Sequence, residues 1–313
     1  MSTPTIRTLG PALAASTALF FVGTSTATAA TLNAYPVFGG QTLRYAVSAL
    51  VLAGIVRVKR PPRARLTGRD AVLIVALGAI GLVGFSVCQV CATRYAEAST
   101  VGTVIAATPV VLAIAGPLAA RRRPSLRVTM GAVVVAAGAG AATGLGHGSL
   151  AGFALSAGAL ACEVGFSLLA VPLLPKLGAV RVSMYAAATA APLSLLTGVV
   201  TAGRGALRMP TGAEAAGLAY LGVVVGGGAF LLWYGALPRL GPARAGLFYG
   251  FVPIGTMVTA SVLGIGSPGT ADLIGGAVVV IGLVIGLWPA SPARPPLPAG
   301  EAPAGDQALQ RDG

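Results

Sequence analysis

Glu163, in the segment ALACEVGFSLL, is the acidic residue closest to the middle of any long apolar stretch in the chain. Ser156 lies seven positions before it and Ser167 four after, so a helix places all three on one face and draws a thin polar stripe along it. Glu163 sits about 20 Å in from the start of its stretch at the helical rise of 1.5 Å per residue. In hydrocarbon a charge at that depth costs several kcal/mol unless it is paired or hydrated, so an ionisable residue there points to function. The chemistry it offers is uptake and release of a proton; the alternative is a neutral carboxyl hydrogen-bonded to a neighbouring helix. Arg44 stands about eight residues, roughly 12 Å, into another apolar stretch. It is placed to counter Glu163, to bind an anionic group on a substrate, or to snorkel to an interface. Asn33, Gln89, Tyr185 and Tyr249 complete the polar side chains that such a pocket would draw on.

Other constellations point away from enzymes. The one histidine, His147, falls in the short segment GHGS, so no histidine cluster can ligate a metal and none serves a buried nucleophile. Cys88 and Cys91 form a C-x-x-C, but both lie in an apolar run and Cys162 lies in another, where small residues serve close helix packing. The glycine-rich GLGHGS and VGGGAF follow no strand and lack the setting of a phosphate loop, so no cofactor is expected. The 21 Lys and Arg against 8 Asp and Glu would suit a nucleic-acid partner in a soluble chain. Here the cations cluster between apolar runs with no interleaved aromatics, and the expected partner is a lipid bilayer.

What must position these residues is a set of membrane helices. The chain of 313 residues is 55% hydrophobic and 9% charged, whereas soluble domains carry about a quarter charged residues. Apolar stretches recur near 12–31, 36–56, 71–91, 98–119, 127–145, 149–172, 179–201, 214–236, 243–264 and 271–288. Each is long enough to cross a hydrocarbon core of about 30 Å as a helix, the form that satisfies every backbone group internally. The first stretch, with Arg7 and TATAA, also has the look of a signal peptide, but it is read as a retained span because the repeat below needs it. Residues 1–11 are read as a short N-terminal segment, and 289–313, rich in Pro, Ala and Gly, as a disordered tail.

With the N-terminus in the cytoplasm and ten alternating spans, 17 Lys and Arg fall on the inside. Three (Arg94, Arg204 and Arg208) fall outside, and Arg44 lies within a span. That is the positive-inside pattern, with both termini cytoplasmic in a cell membrane. Trp233, Tyr234 and Trp288 are expected near the cytoplasmic ends of their spans, and Glu97 is expected to pair with Arg94.

The chain also repeats itself at an offset of 144 positions. Pro109 aligns with Pro253, Gly131 and Gly138 with Gly275 and Gly282, Gly102 with Gly246, and Gly84 with Gly228, and both halves contain GAVVV. Five spans per half is an odd number, so residues 149–288 form an inverted copy of 12–145. Pro109 and Pro253 are expected at equivalent helix bends beside a central cavity.

FVGT at 21–24, LRYAVSAL at 43–50, the block from Pro109 to Gly131, WYGALPRLGPARAG at 233–246 and the block from Pro253 to Gly282 carry a resemblance. They resemble the EamA-type permeases of the drug/metabolite transporter superfamily, with two EamA repeats over about 12–288. That resemblance implies ten helices in two inverted halves and export of metabolites or toxic compounds by alternating access. It also places Arg44 where family members commonly carry an Arg. The family's acidic residue nine positions before the Gly of each last helix is replaced here by Arg122 and Gly266. The expected activity is secondary transport of a small molecule, with proton coupling through Glu163. The alternatives are a passive facilitator on the same scaffold and a membrane interaction protein that transports nothing.

Overall fold

A computed structural model describes residues 4–30, 32, 34–60, 65–144, 146–264 and 269–288. Asn33, Gly266 and the tail from 289 lie outside the described residues. The described residues are helical and form no strand beyond one isolated bridge between Ala96 and Gly148. Its helices are α1 (Pro4–Ala30), α2 (Val37–Lys59), α3 (Gly68–Ala92), α4 (Ala98–Ala119), α5 (Leu126–Thr143), α6 (Leu150–Ala170), α7 (Leu174–Ala202), α8 (Gly212–Leu240), α9 (Pro242–Val262) and α10 (Thr270–Leu287). Nine of these, α2 to α10, are long and apolar enough to cross a membrane, and α1 carries a further apolar run at Leu9–Ser25. The chain is thus a multi-pass membrane protein. Leu50, Val58, Leu150 and Val200 are among the large apolar side chains left exposed, as a lipid solvent requires.

Helix starts and stops follow local chemistry. The Thr67 hydroxyl accepts from the Asp70 amide while Asp70 Oδ2 accepts from the Thr67 amide, a reciprocal cap that opens α3. Thr211 and Glu214 build the same cap at the start of α8. Gly178, at φ +71°, breaks α7 after its first turn, and Gly241, at φ +76°, separates α8 from α9. Within α3 the stretch Leu77–Gly84 is π-helical, and within α8 so is Leu221–Ala229. Such wide turns concentrate at functional sites.

The two helices that carry Pro109 and Pro253 are both interrupted just before the proline. In α4 the helix opens at Ala106 and Ala107, and the carbonyl of Ile105, which a proline at 109 cannot satisfy, accepts instead from the Thr108 hydroxyl at 2.6 Å. In α9 the stretch Leu247–Gly250 tightens to a 3-10 helix before Phe251.

The helices pack as α5 along α10, α2 along α7, α1 along α9 and α8, α3 along α6, and α4 across α9. The α5–α10 contact is a glycine seam. A Cβ on Gly131 would stand 2.6 Å from Gly286 Cα, and one on Gly138 would stand 2.7 Å from the Gly275 carbonyl oxygen. Only glycine lets the two backbones approach so closely.

Arg121, Arg122, Arg123, Arg127, Lys176, Arg239 and Arg244 lie at the same end of the bundle, where Arg127 donates to the Trp288 carbonyl and Lys176 pairs with Asp70. At the opposite end the Arg208 guanidinium clasps Glu214, with Nη1 to Oε2 at 2.8 Å, and covers the Tyr35 ring at 4.7 Å. Two sequence expectations need correction. Trp233 and Tyr234 are not interfacial: at 3% and 0% exposed they are core residues, because α8 continues seven residues past Trp233 to Leu240. Glu97 does not pair with Arg94. The turn at Thr93–Tyr95 and the bridge of Ala96 to Gly148 bring it instead to His147, 3.8 Å away.

Candidate functional site: a cavity closed at one end

A cavity of about 970 Å³ runs into the bundle from the end opposite the basic cluster. Its mouth is framed by helix ends: Tyr35 before α2, Thr93 after α3, Ala98 opening α4, Thr143 closing α5, Ala260 in α9 and Asp272 in α10. Its walls are mostly apolar and include Gly81, Leu82 and Phe85 of α3 and Leu221 and Val225 of α8, so both π-helical stretches face it. Its floor is Glu163 and Phe166 of α6, Phe230 and Trp233 of α8, and Tyr249 of α9, with Leu19 of α1.

The floor is a connected polar and aromatic group. The Tyr249 hydroxyl donates to Glu163 Oε1 at 2.6 Å. Tyr249 sits in the 3-10 stretch of α9, so the bond ties the carboxyl of α6 to the irregular point of another helix. Trp233 meets the Tyr249 ring edge-on, with centroids 5.4 Å apart. Phe166 contacts Phe230 and Tyr234, with centroids 4.9 and 5.1 Å away. The Tyr234 hydroxyl donates to the Phe166 carbonyl at 3.1 Å, so the aromatic floor is fixed by a buried bond beneath it. Trp233 Nε1 is buried and has no hydrogen-bond acceptor among the described residues. The arrangement can offer a ligand an acidic oxygen, an indole N–H and flat aromatic faces.

Arg44 and Gln89 also line the cavity, on α2 and α3. Arg44 lies over the Tyr45 ring at 4.8 Å, and its Nε, like Gln41 Oε1, is buried without a partner among the described residues. No ion pair joins Arg44 to Glu163 among those residues. Of the candidates read from sequence, Glu163, Arg44, Gln89 and Tyr249 come together at this cavity. Tyr185 does not: it packs on the core in α7 and is absent from the lining. Pro253 lines the cavity, whereas Pro109 is buried against Gly246, its Cα 3.6 Å from where a glycine Cβ would stand. Sequence reasoning missed Trp233 and Gln41. Gln41 lies one helical turn before Arg44 on the same face, a spacing that could have revealed it.

Beneath the floor the bundle is sealed. Leu112 of α4 meets Gly246 of α9, its Cβ 3.0 Å from the position of an added Cβ, and Gly116 meets Pro242 at the same distance. Leu173, Leu237 and Leu247 are fully buried at this level. Among the described residues the cavity is therefore a blind pocket that reaches past the middle of the membrane helices.

No curated protein matches the chain. A solved crystal structure matches its fold with a TM-score of 0.77 over 88% of this chain and 96% of the other, at 20% sequence identity. Residues 8–143, from α1 to the end of α5, match the EamA-like transporter family. A multi-pass bundle with a pocket sunk into one side suits the EamA-like transporter family to which residues 8–143 are similar.

Proposed function

We propose that the chain is a secondary transporter that moves a small metabolite or drug out across the cytoplasmic membrane by alternating access, with protons as the coupling ion. The observation that carries the reading is the blind cavity, open at one end, sealed at the other and floored by the Glu163–Tyr249 pair. A site near the midplane that one side reaches at a time is the arrangement secondary transport needs.

Two inverted five-helix repeats, 12–145 and 149–288, supply the architecture. Structural features recur at the same offset of 144 as the sequence. α5 at Leu126–Thr143 corresponds to α10 at Thr270–Leu287, and the reciprocal cap at Thr67 and Asp70 to that at Thr211 and Glu214. The π-helical stretch from Leu77 corresponds to the one from Leu221. The contacts of the seam obey the same exchange, since Gly131 on Gly286 is the counterpart of Gly275 on Ala142. The basic end faces the cytoplasm on this reading, which leaves the cavity open to the outside and both termini inside.

A passive facilitator on the same scaffold would ignore the proton gradient. Comparison of small molecules released by cells with and without the protein, before and after the gradient is collapsed, tests the reading. Release that depends on both supports it. Release that depends on the protein and not on the gradient assigns a facilitator, and no protein-dependent release removes the reading.

A further inference from the structure

The sealed end of the bundle contains a template for how its open end closes. At the seal, α4 and α9 cross through three contacts: Leu112 on Gly246, Pro109 on Gly246, and Gly116 on Pro242. Moving each residue by the repeat offset of 144 gives the partner positions in the other half. Leu112 becomes Thr256 and Gly246 becomes Gly102, Pro109 becomes Pro253, and Gly116 and Pro242 become Ala260 and Ala98. All five counterparts, Ala98, Gly102, Pro253, Thr256 and Ala260, line the upper cavity on opposite walls. They are not in contact at Gly102: a Cβ there would have only Thr143 within 4 Å and nothing from α9. Its counterpart Gly246 has Leu112 at 3.0 Å. One half of a two-fold pattern is formed and the other is open.

We infer that the outer mouth closes when α9 swings across α4 to seat Thr256 and Pro253 on Gly102 and Ala260 on Ala98, while the Leu112–Gly246 and Gly116–Pro242 contacts open. The inference rests on the alternating-access reading above and names its gate. The residue types suit the movement. Gly102 and Ala98 give a flat surface on which a helix can seat closely, as Gly246 and Gly116 do at the seal. The interruptions at Ala106–Ala107 and Leu247–Gly250 leave each helix a pliant point between its two contact zones. Two packings that differ by an exchange of equivalent contacts have similar energies, the condition for a two-state switch.

The test uses the full-length protein in membrane vesicles with Cys88, Cys91 and Cys162 replaced by Ala. The pairs Ala98→Cys with Ala260→Cys and Gly102→Cys with Thr256→Cys are oxidised with copper phenanthroline. A separate Ala243→Cys, beside the seal, reports cytoplasmic access through maleimide labelling. The expected result is a cross-link in both outer pairs and a rise of about fivefold or more in Ala243→Cys labelling once either pair is locked, since locking one state removes the other from the population. Labelling of Ala243→Cys in unlocked protein, with neither outer pair able to link, would overturn this gate and leave alternating access standing. No link and no labelling under any condition would remove both. If the cysteine-free chain fails to assemble, the pairs are placed in the native chain and the linked peptides are identified by mass.

Discussion

Tyr249 reaches across the bundle to donate a 2.6 Å hydrogen bond to Glu163, joining the one mid-span carboxyl to the tightened turn of α9. A bond from a phenol to a carboxylate is charge-assisted, and such bonds are roughly twice as strong as neutral ones. The protonation of Glu163 therefore alters the hold on a helix that contributes both to the cavity wall and to the seal below it.

Glu163→Gln should abolish gradient-driven release while leaving assembly intact. Gln keeps the size and the acceptor for Tyr249 but holds no exchangeable acid proton. Release assays on cells and on vesicles with an imposed gradient check this, beside size-exclusion profiles of the purified variant. Unimpaired gradient-driven release by the Gln variant would assign Glu163 a packing role.

Tyr249→Phe removes the bond and keeps the ring against Trp233. Loss of a hydrogen bond to a charged group costs about 1.5–3 kcal/mol. We expect gradient-driven release to fall about tenfold or more, the equivalent of 1.4 kcal/mol, with a lowered melting temperature in detergent and assembly retained. A variant that transports normally would separate α9 from the carboxyl.

The glycine seam predicts a sharp contrast along one helix. A Cβ on Gly282 would stand 2.7 Å from the Val135 amide nitrogen, whereas a Cβ on Gly276 meets nothing within 4 Å. Gly282→Val should destabilise the bundle by about 1–3 kcal/mol or more, the cost of overpacking. Gly276→Ala should leave the melting temperature unchanged or slightly raised. Equal effects from the two substitutions would contradict the seam.

Orientation is checked by labelling single cysteines. A cysteine at Arg204 should react with an impermeant maleimide added outside intact cells, and one at Arg65 should react only in inverted vesicles. The reverse result would turn the protein over and reverse the direction assigned to the cavity.

The apolar runs made the helices legible, because in lipid a stretch of that length has no other way to satisfy its backbone. Expected 98–119 appears as Ala98–Ala119, and expected 271–288 as Thr270–Leu287. Glu163 was legible for the same reason: a lone acid in hydrocarbon stands out by its cost. Trp233 was not. Its position near a span end suggested an interface, and only the extension of α8 to Leu240 reveals it as the cavity floor. The π-helical stretches were hidden too, since LGAIGLVG and LGVVVGGGA read as ordinary apolar helix and the wider turn arises from packing. Tyr185 shows the converse limit: a polar aromatic at mid-span has a face, and the sequence does not fix the helix rotation that turns it to the core.

The glycine seam also sets an order on how the molecule is made. Its two strips, on α5 and α10, are separated by most of the second half of the chain, and α10 is the last described helix. While the ribosome is still producing α6 to α9, the groove around Gly131 and Gly138 has no occupant and faces lipid. The cap for that groove arrives only with Thr270–Leu287, after α6 to α9 have been made and can already pack on α1 to α4. A nascent chain stalled before Thr270 would leave Gly131 and Gly138 without the helix that packs on them.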